Sequence, residues 1–271
     1  MNGLTILSHS FRQVKGNLAV AVMVSAWLVA IYVAALAVLF RYMPEWLAAA
    51  IAQDSARMEA ALDFTGKNVG MAAALLLLAL VFLMWAASLV AITWHRYILL
   101  DESPKGFLPS PSGFPIGKYA WRGIGITFLA AMAAGLVGGV LAVIIGPATL
   151  VASPTPAGMV MELFRQFIIN IVMLVLYLRM ALVLPSVALG AGLTIGEAWG
   201  KSAGYTGSIL GLAVPLALIN AVVPLLISLL FGELVWIKMA LNGAFMWFYF
   251  MLNISVLSTL YGYIVQQREV H

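Results

Sequence analysis

Charge is spaced along this chain in a way that few folds can accommodate. Residues 16–40, 68–95, 123–161, 202–232 and 239–267 contain no Asp, Glu, Lys or Arg. A sixth stretch, 167–189, is broken only by Arg179. Each run is long enough for the ~20 apolar residues that a helix needs to cross a hydrocarbon core. Lipid cannot satisfy open backbone groups, so an open chain crosses it only as helices. The alternating strands of about 10 residues that mark a membrane barrel are absent.

Composition agrees. Of 271 residues, 64% are hydrophobic and 9% charged, against about 25% charged in an ordinary soluble domain. Water would leave such a surface uncovered. The sequence therefore predicts an all-α, polytopic transmembrane helical bundle forming a single membrane domain over residues 1–271. Its six spans are expected near 17–40, 69–94, 124–147, 166–188, 207–231 and 239–264, with short interfacial amphipathic helices between them. The net charge of +4 is dispersed, so no basic stripe suits nucleic acid. The absence of cysteine excludes disulfides and thiolate chemistry.

The Lys and Arg residues sort by side. Arg12, Lys15, Arg96, Lys105, Lys118, Arg122, Lys201 and Arg268 fall on the side of both termini, and Arg179 can lean that way. Arg41, Arg57, Lys67, Arg165 and Lys238 fall opposite, among six acids. Both termini are expected in the cytoplasm, in a bacterial inner membrane, with the first span retained rather than cleaved. Five of the eight tryptophans, Trp46, Trp94, Trp121, Trp199 and Trp236, fall at span ends, where an aromatic belt belongs.

The connections carry their own patterns. Leu4, Leu7, Phe11, Val14 and Leu18 recur at helical spacing, as either an interfacial amphipathic helix or an extension of the first span. Leu47, Ile51, Met58 and Leu62 suggest a short outer helix. Pro104, Pro109, Pro111 and Pro115 preclude a regular helix between spans two and three. Thr194 and Glu197 have the spacing of a capping box, which starts a short helix near 195–203.

Arg179 is the most expensive residue to place, at about 2.5–3.5 kcal/mol near a helix centre. It either snorkels to the interface or binds an anionic headgroup or ligand. Its partner would be a carbonyl, an Asn, a lipid phosphate or a loop acid. Trp94, His95 and Arg96 close span two, either as plain interface anchors or, with Arg122 and Arg179, as a basic pocket for an anionic lipid. His95 has no companion at metal-binding spacing, and no metal or cofactor is expected.

The row Ala131, Gly135, Gly139 and the pair Gly207, Gly211 let backbones approach, within the bundle or between copies. Asn170, Asn220, Asn242 and Asn253 are the deepest uncharged polar groups, each suited to an interhelical hydrogen bond. Pro215 and Pro224 flank Asn220 and predict a kink. Neither a nucleophile–base pair nor a carboxylate pair lies at membrane depth, and the spans lack the acids of a proton relay.

The segments WHRYILLDE (94–102), RMALVLPSVALG (179–190) and TIGEAWGKSAG (194–204), with the basic N-terminal segment, carry a resemblance. The chain resembles uncharacterised bacterial six-helix inner-membrane proteins, particularly alphaproteobacterial ones, similar to the glycerophosphodiester phosphodiesterase membrane-domain group. That resemblance implies structural roles for Arg96, Pro185 and Glu197. The hydrolase activity behind the group's name is not expected here, since these 271 residues hold none of its chemistry. The leading expectation is a non-enzymatic accessory, assembly or lipid-interacting component. Its partners would be the phospholipid bilayer, anionic lipids and another membrane protein. The competing expectation is a transporter or channel with a polar site between helices four and five, near Asn170, Asn220 and Arg179.

Overall fold

The computed structural model describes residues 2–45, 49, 57, 67–104, 106, 113–145, 156–232 and 234–268. Among these there is no strand, and the architecture is an all-α bundle. The helices, in chain order, are α1 (Gly3–Gly16), α2 (Leu18–Tyr42), α3 (Lys67–Leu100), α4 (Ile116–Ile145), α5 (Pro156–Met180), α6 (Val183–Ala188), α7 (Ile195–Ser202), α8 (Thr206–Phe231) and α9 (Val235–Ile264). Six segments are long and apolar enough to cross a membrane, and the chain is a multi-pass membrane protein. The expected positions Trp46, Leu47, Ile51, Met58 and Leu62 lie outside the described residues.

Helices α3, α4, α5, α8 and α9 pack in a closed ring of neighbours, and α2 lies along α3. The core sits at the end of the bundle that carries both termini. There, residues 178 and 180–188 are all buried, as are residues 89–95 of α3 and most of 251–264 of α9.

A break in the helix creates that buried centre. Pro185 has no N–H to give the carbonyl of Ala181. The Leu184 N–H takes it instead, at 2.9 Å, and α5 ends at Met180 before α6 begins. Helix α6 stops in a Schellman turn. Gly190 adopts φ +75°, and the N–H of Ala191 bonds the Ser186 carbonyl at 2.8 Å while that of Gly190 bonds Val187 at 3.1 Å. The helix carrying the expected fourth span, 166–188, begins earlier, at Pro156, with the candidate span running Val160–Ala188 and including the Glu162–Arg165 ion pair.

Helix α1 is a separate element, broken from α2 at Asn17, and it docks across α8 and α9. Its buried face is not the apolar row seen in the sequence. Gly3, Ile6, Ser10 and Val14 face the bundle, while Leu4 and Phe11 are exposed. Hydrogen bonds select the buried face. The Ser10 hydroxyl reaches the Thr259 hydroxyl at 3.1 Å, and Gln13 Oε1 accepts from Ser255 at 2.7 Å and Thr259 at 3.2 Å. At the crossing with α8, a Cβ on Gly3 would strike the backbone of Gly211 and Leu212. The Gly207–Gly211 pair therefore serves α1 through Gly211.

Other rows shift register too. On α4 the buried small row is Ala130, Ala134 and Gly138, with Gly138 against Ile169 of α5. Gly135 and Gly139 face open space, and Ala131 is exposed. Pro215 and Pro224 lie inside α8, which continues as one helix. Asn242 and Asn253 bond carbonyls of their own helices, at 3.0 and 2.7 Å, rather than reaching across.

Candidate functional site

Three arginines from three helices converge on the connection that runs from α6 through α7. Arg96 at the end of α3 forms a bidentate pair with Glu102, both contacts 2.7 Å, and donates to the Ala188 carbonyl at 3.0 Å. Its guanidinium also lies over the Phe114 ring. Arg122 of α4 donates to the Leu193 carbonyl at 2.9 Å. Arg179 of α5 donates to Ser202 Oγ and to the Trp199 carbonyl, both at 3.2 Å, with its guanidinium 3.8 Å from the Trp199 ring centre. Ala188 and Trp199 lie in the last turns of α6 and α7, where carbonyls lack intrahelical partners and cations are favoured. The three guanidiniums thus strap 188–199 to the bundle one carbonyl at a time. Of the partners open to Arg179, the fold supplies the carbonyl, and it adds a hydroxyl that the sequence did not suggest.

The strap is well formed along its length. The buried Ser186 hydroxyl donates to the Ala191 carbonyl at 2.8 Å and accepts from the Leu193 N–H at 3.0 Å. Thr194 and Glu197 form the complete capping box that starts α7, because each side chain meets a free N–H at the helix start.

His95 stands apart from this strap. It and Trp94 are fully buried, so two members of the Trp94–His95–Arg96 trio are not interface anchors. The reason is that α3 runs on to Leu100, which carries both rings down among its neighbours. Trp121 and Trp236, by contrast, are 76% and 73% exposed, as belt residues are. His95 Nδ1 is 2.8 Å from Ser258 Oγ of α9, and Nε2 is 3.0 Å from the Tyr119 hydroxyl of α4.

Tyr119 opens on the second feature, a cleft of about 590 Å³ between α3 and α4. Small residues make the space: Ala87 and Ala91 on α3, Ala120 and Gly123 on α4. Phe250, Asn253, Ile254 and Leu257 of α9, with Tyr177 and Leu184, form its floor. The rim residues Ile124 and Phe128 are exposed, so the cleft opens sideways to the bundle's apolar surround. The polar residues of its lining are Ser88, Tyr119, Thr127, Tyr177 and Asn253, and no charged residue lines it.

Asn170 and Asn220 are half-buried on α5 and α8, and neither they nor Arg179 line the cleft. Sequence reasoning missed Tyr119, Thr127, Tyr177 and Ser258. One signal was present: the row Ala131, Gly135, Gly139 continues backward as Tyr119, Gly123, Thr127 at the same four-residue step. Comparison with protein-family models, with curated proteins and with solved structures finds nothing that matches this chain.

Proposed function

We propose that this chain is a non-enzymatic component of a bacterial inner membrane that holds a bilayer lipid in the cleft between α3 and α4. The cleft itself carries the reading. Its volume of about 590 Å³ lies within the ~300–1,000 Å³ of small-molecule sites, and its walls are apolar and open toward lipid. A water-soluble substrate would have to cross that rim. An acyl or isoprenoid chain is already on the right side of it. The strap of three arginines supports a holding role, since it fixes α6, and with it Leu184 of the cleft floor. The reading accords with the resemblance to six-helix inner-membrane proteins.

Cytoplasmic termini are proposed from the basic residues. With Arg179 beside α7, eight of the 14 Lys and Arg residues are described at the terminal end: Arg12, Lys15, Arg96, Lys118, Arg122, Arg179, Lys201 and Arg268. The lack of native cysteine makes the test direct. In spheroplasts a membrane-impermeant maleimide should label Leu234→Cys and spare Ser8→Cys. The reverse pattern would invert the orientation.

Lipid holding is tested by native mass spectrometry of protein purified in mild detergent. Wild type should retain lipid that Thr127→Trp and Ala87→Trp, which fill the cleft, lose without a fall in melting temperature. Equal retention by all three proteins would refute the reading.

A further inference from the structure

We propose that the inner end of the cleft selects an uncharged lipid by its oxygen function, a hydroxyl or an ester carbonyl, with Tyr119 and Tyr177 as the recognising groups. This rests on the cleft being the lipid site. Tyr119 from α4, Tyr177 from α5 and Asn253 from α9 join Ser88 and Thr127 as the polar residues of a mostly apolar lining. No Lys, Arg, His, Asp or Glu lines it, so an ionic headgroup would be stripped of water there with nothing to balance its charge. From Tyr119 to Ala131 the α4 wall rises about 18 Å at ~1.5 Å per residue. That is a little over half of a hydrocarbon core of about 30 Å, the depth of one leaflet. A single chain drawn in from that leaflet would place its polar end at the tyrosines.

The buried chain behind Tyr119 determines what it offers. The Ser258 hydroxyl lies 3.0 Å from the Ile254 carbonyl, 2.8 Å from His95 Nδ1, and His95 Nε2 lies 3.0 Å from Tyr119. Counting protein groups alone, one arrangement gives every proton an acceptor. Ser258 donates to Ile254, His95 Nδ1–H donates to Ser258, and Tyr119 donates to Nε2. The Tyr119 oxygen then accepts, which suits a ligand hydroxyl whose own oxygen takes the Tyr177 proton. With the other His95 tautomer, Ser258 donates to Nδ1, Nε2–H donates to Tyr119, and the Tyr119 proton points into the cleft. That arrangement leaves a donor unsatisfied unless a ligand oxygen accepts it, and a carbonyl does so. The relay thus lets one tyrosine serve either oxygen function, while an alkyl chain without oxygen gains nothing from it.

The test uses a photoactivatable long-chain alcohol incorporated with the full-length protein in phosphatidylcholine vesicles. Hexadecanol, hexadecyl phosphate and hexadecane compete for labelling. In wild type, hexadecanol should compete at about tenfold lower concentration than either of the others, the effect of one to two hydrogen bonds. Tyr177→Phe should narrow that gap several-fold while leaving hexadecane unchanged. Hexadecane competing as well as hexadecanol in wild type would overturn recognition through oxygen. Hexadecyl phosphate competing as well would overturn the exclusion of charge. In both cases labelling that Thr127→Trp abolishes would leave the cleft reading standing. Labelling indifferent to Thr127→Trp would remove the cleft reading, and this inference with it.

Discussion

The two ends of the bundle are built from similar residues and packed very differently. At the terminal end, α9 is buried over nearly all of 251–264, and α3 over 88–95. At the opposite end the same helices are bare, with Leu77 of α3 65% and Trp236 of α9 73% exposed, as are Leu229 and Leu230 of α8, above 70%. In water this asymmetry would be ruinous. In lipid it costs little, because a leucine gains nothing from leaving tails as apolar as itself. Helices meet there only where backbones approach closely or polar groups pair. The terminal end has both means: Gly3 on Gly211, and the hydroxyls and amides of Ser10, Gln13, Ser255, Ser258 and Thr259. The cleft sits where this packed end gives way, bounded below by buried Leu184 and Leu257 and above by exposed Phe128 and Ala131.

The contrast can be broken by making one change at both ends. Leu182→Ala, at a fully buried position, should lower stability in a denaturant titration in detergent by about 2–5 kcal/mol. Leu136→Ala, on the exposed face of α4, should stay within about 0.5 kcal/mol. Equal losses would mean that the opposite end is as closely packed. A smaller effect is expected where backbones cross. Gly3→Val should cost about 1–3 kcal/mol and speed tryptic cleavage at the already exposed Arg12 and Lys15 as α1 undocks and its backbone loosens. Gly139→Val, facing open space, should do neither.

Two local changes sharpen the comparison further. Thr194→Ala removes the capping box and should cost about 1 kcal/mol, read as faster hydrogen exchange confined to residues 195–202. Ser255→Ala removes the hydroxyl that donates to Gln13 Oε1 and to the Ser10 carbonyl and should cost about 0.6 kcal/mol, near the limit of a denaturant titration. A much larger loss would assign the docking of α1 to polar pairing more than to shape.

What the sequence revealed follows the range of the interactions concerned. The capping box is legible because Thr194 and Glu197 are three residues apart and need no third element. Helix termini are legible to within about four residues for α2, α8 and α9, but α3 runs past its expected end to Leu100, α4 starts ahead of its expected start at Ile116, and at α5 the charged pair Glu162 and Arg165 looked like a connection and proves to be helix. Faces were harder. The rows Leu4–Leu7–Phe11–Val14–Leu18 and Ala131–Gly135–Gly139 are real periodicities, yet the second turns outward and the first reaches the core only through Val14 and, in part, Leu7, while the adjacent row is buried. An apolar row marks a core only when the alternative is water. Arg179 was recognised as costly and a carbonyl was among its expected partners, but which carbonyls the three arginines take was not legible, because Ala188, Leu193 and Trp199 offer carbonyls that every residue has.

Six crossings, an all-helical bundle and the capping box that starts α7 follow from the sequence alone, because the cost of carrying charge or open backbone into hydrocarbon is met segment by segment. Which face of each helix is buried, where the three arginines come to rest, and that Tyr119, Tyr177 and Asn253 share a cleft were decided only by the tertiary structure. Helices apolar on every side are equivalent to the solvent around them. Only the fit of distant surfaces, and the few hydrogen bonds between them, distinguishes one arrangement from another.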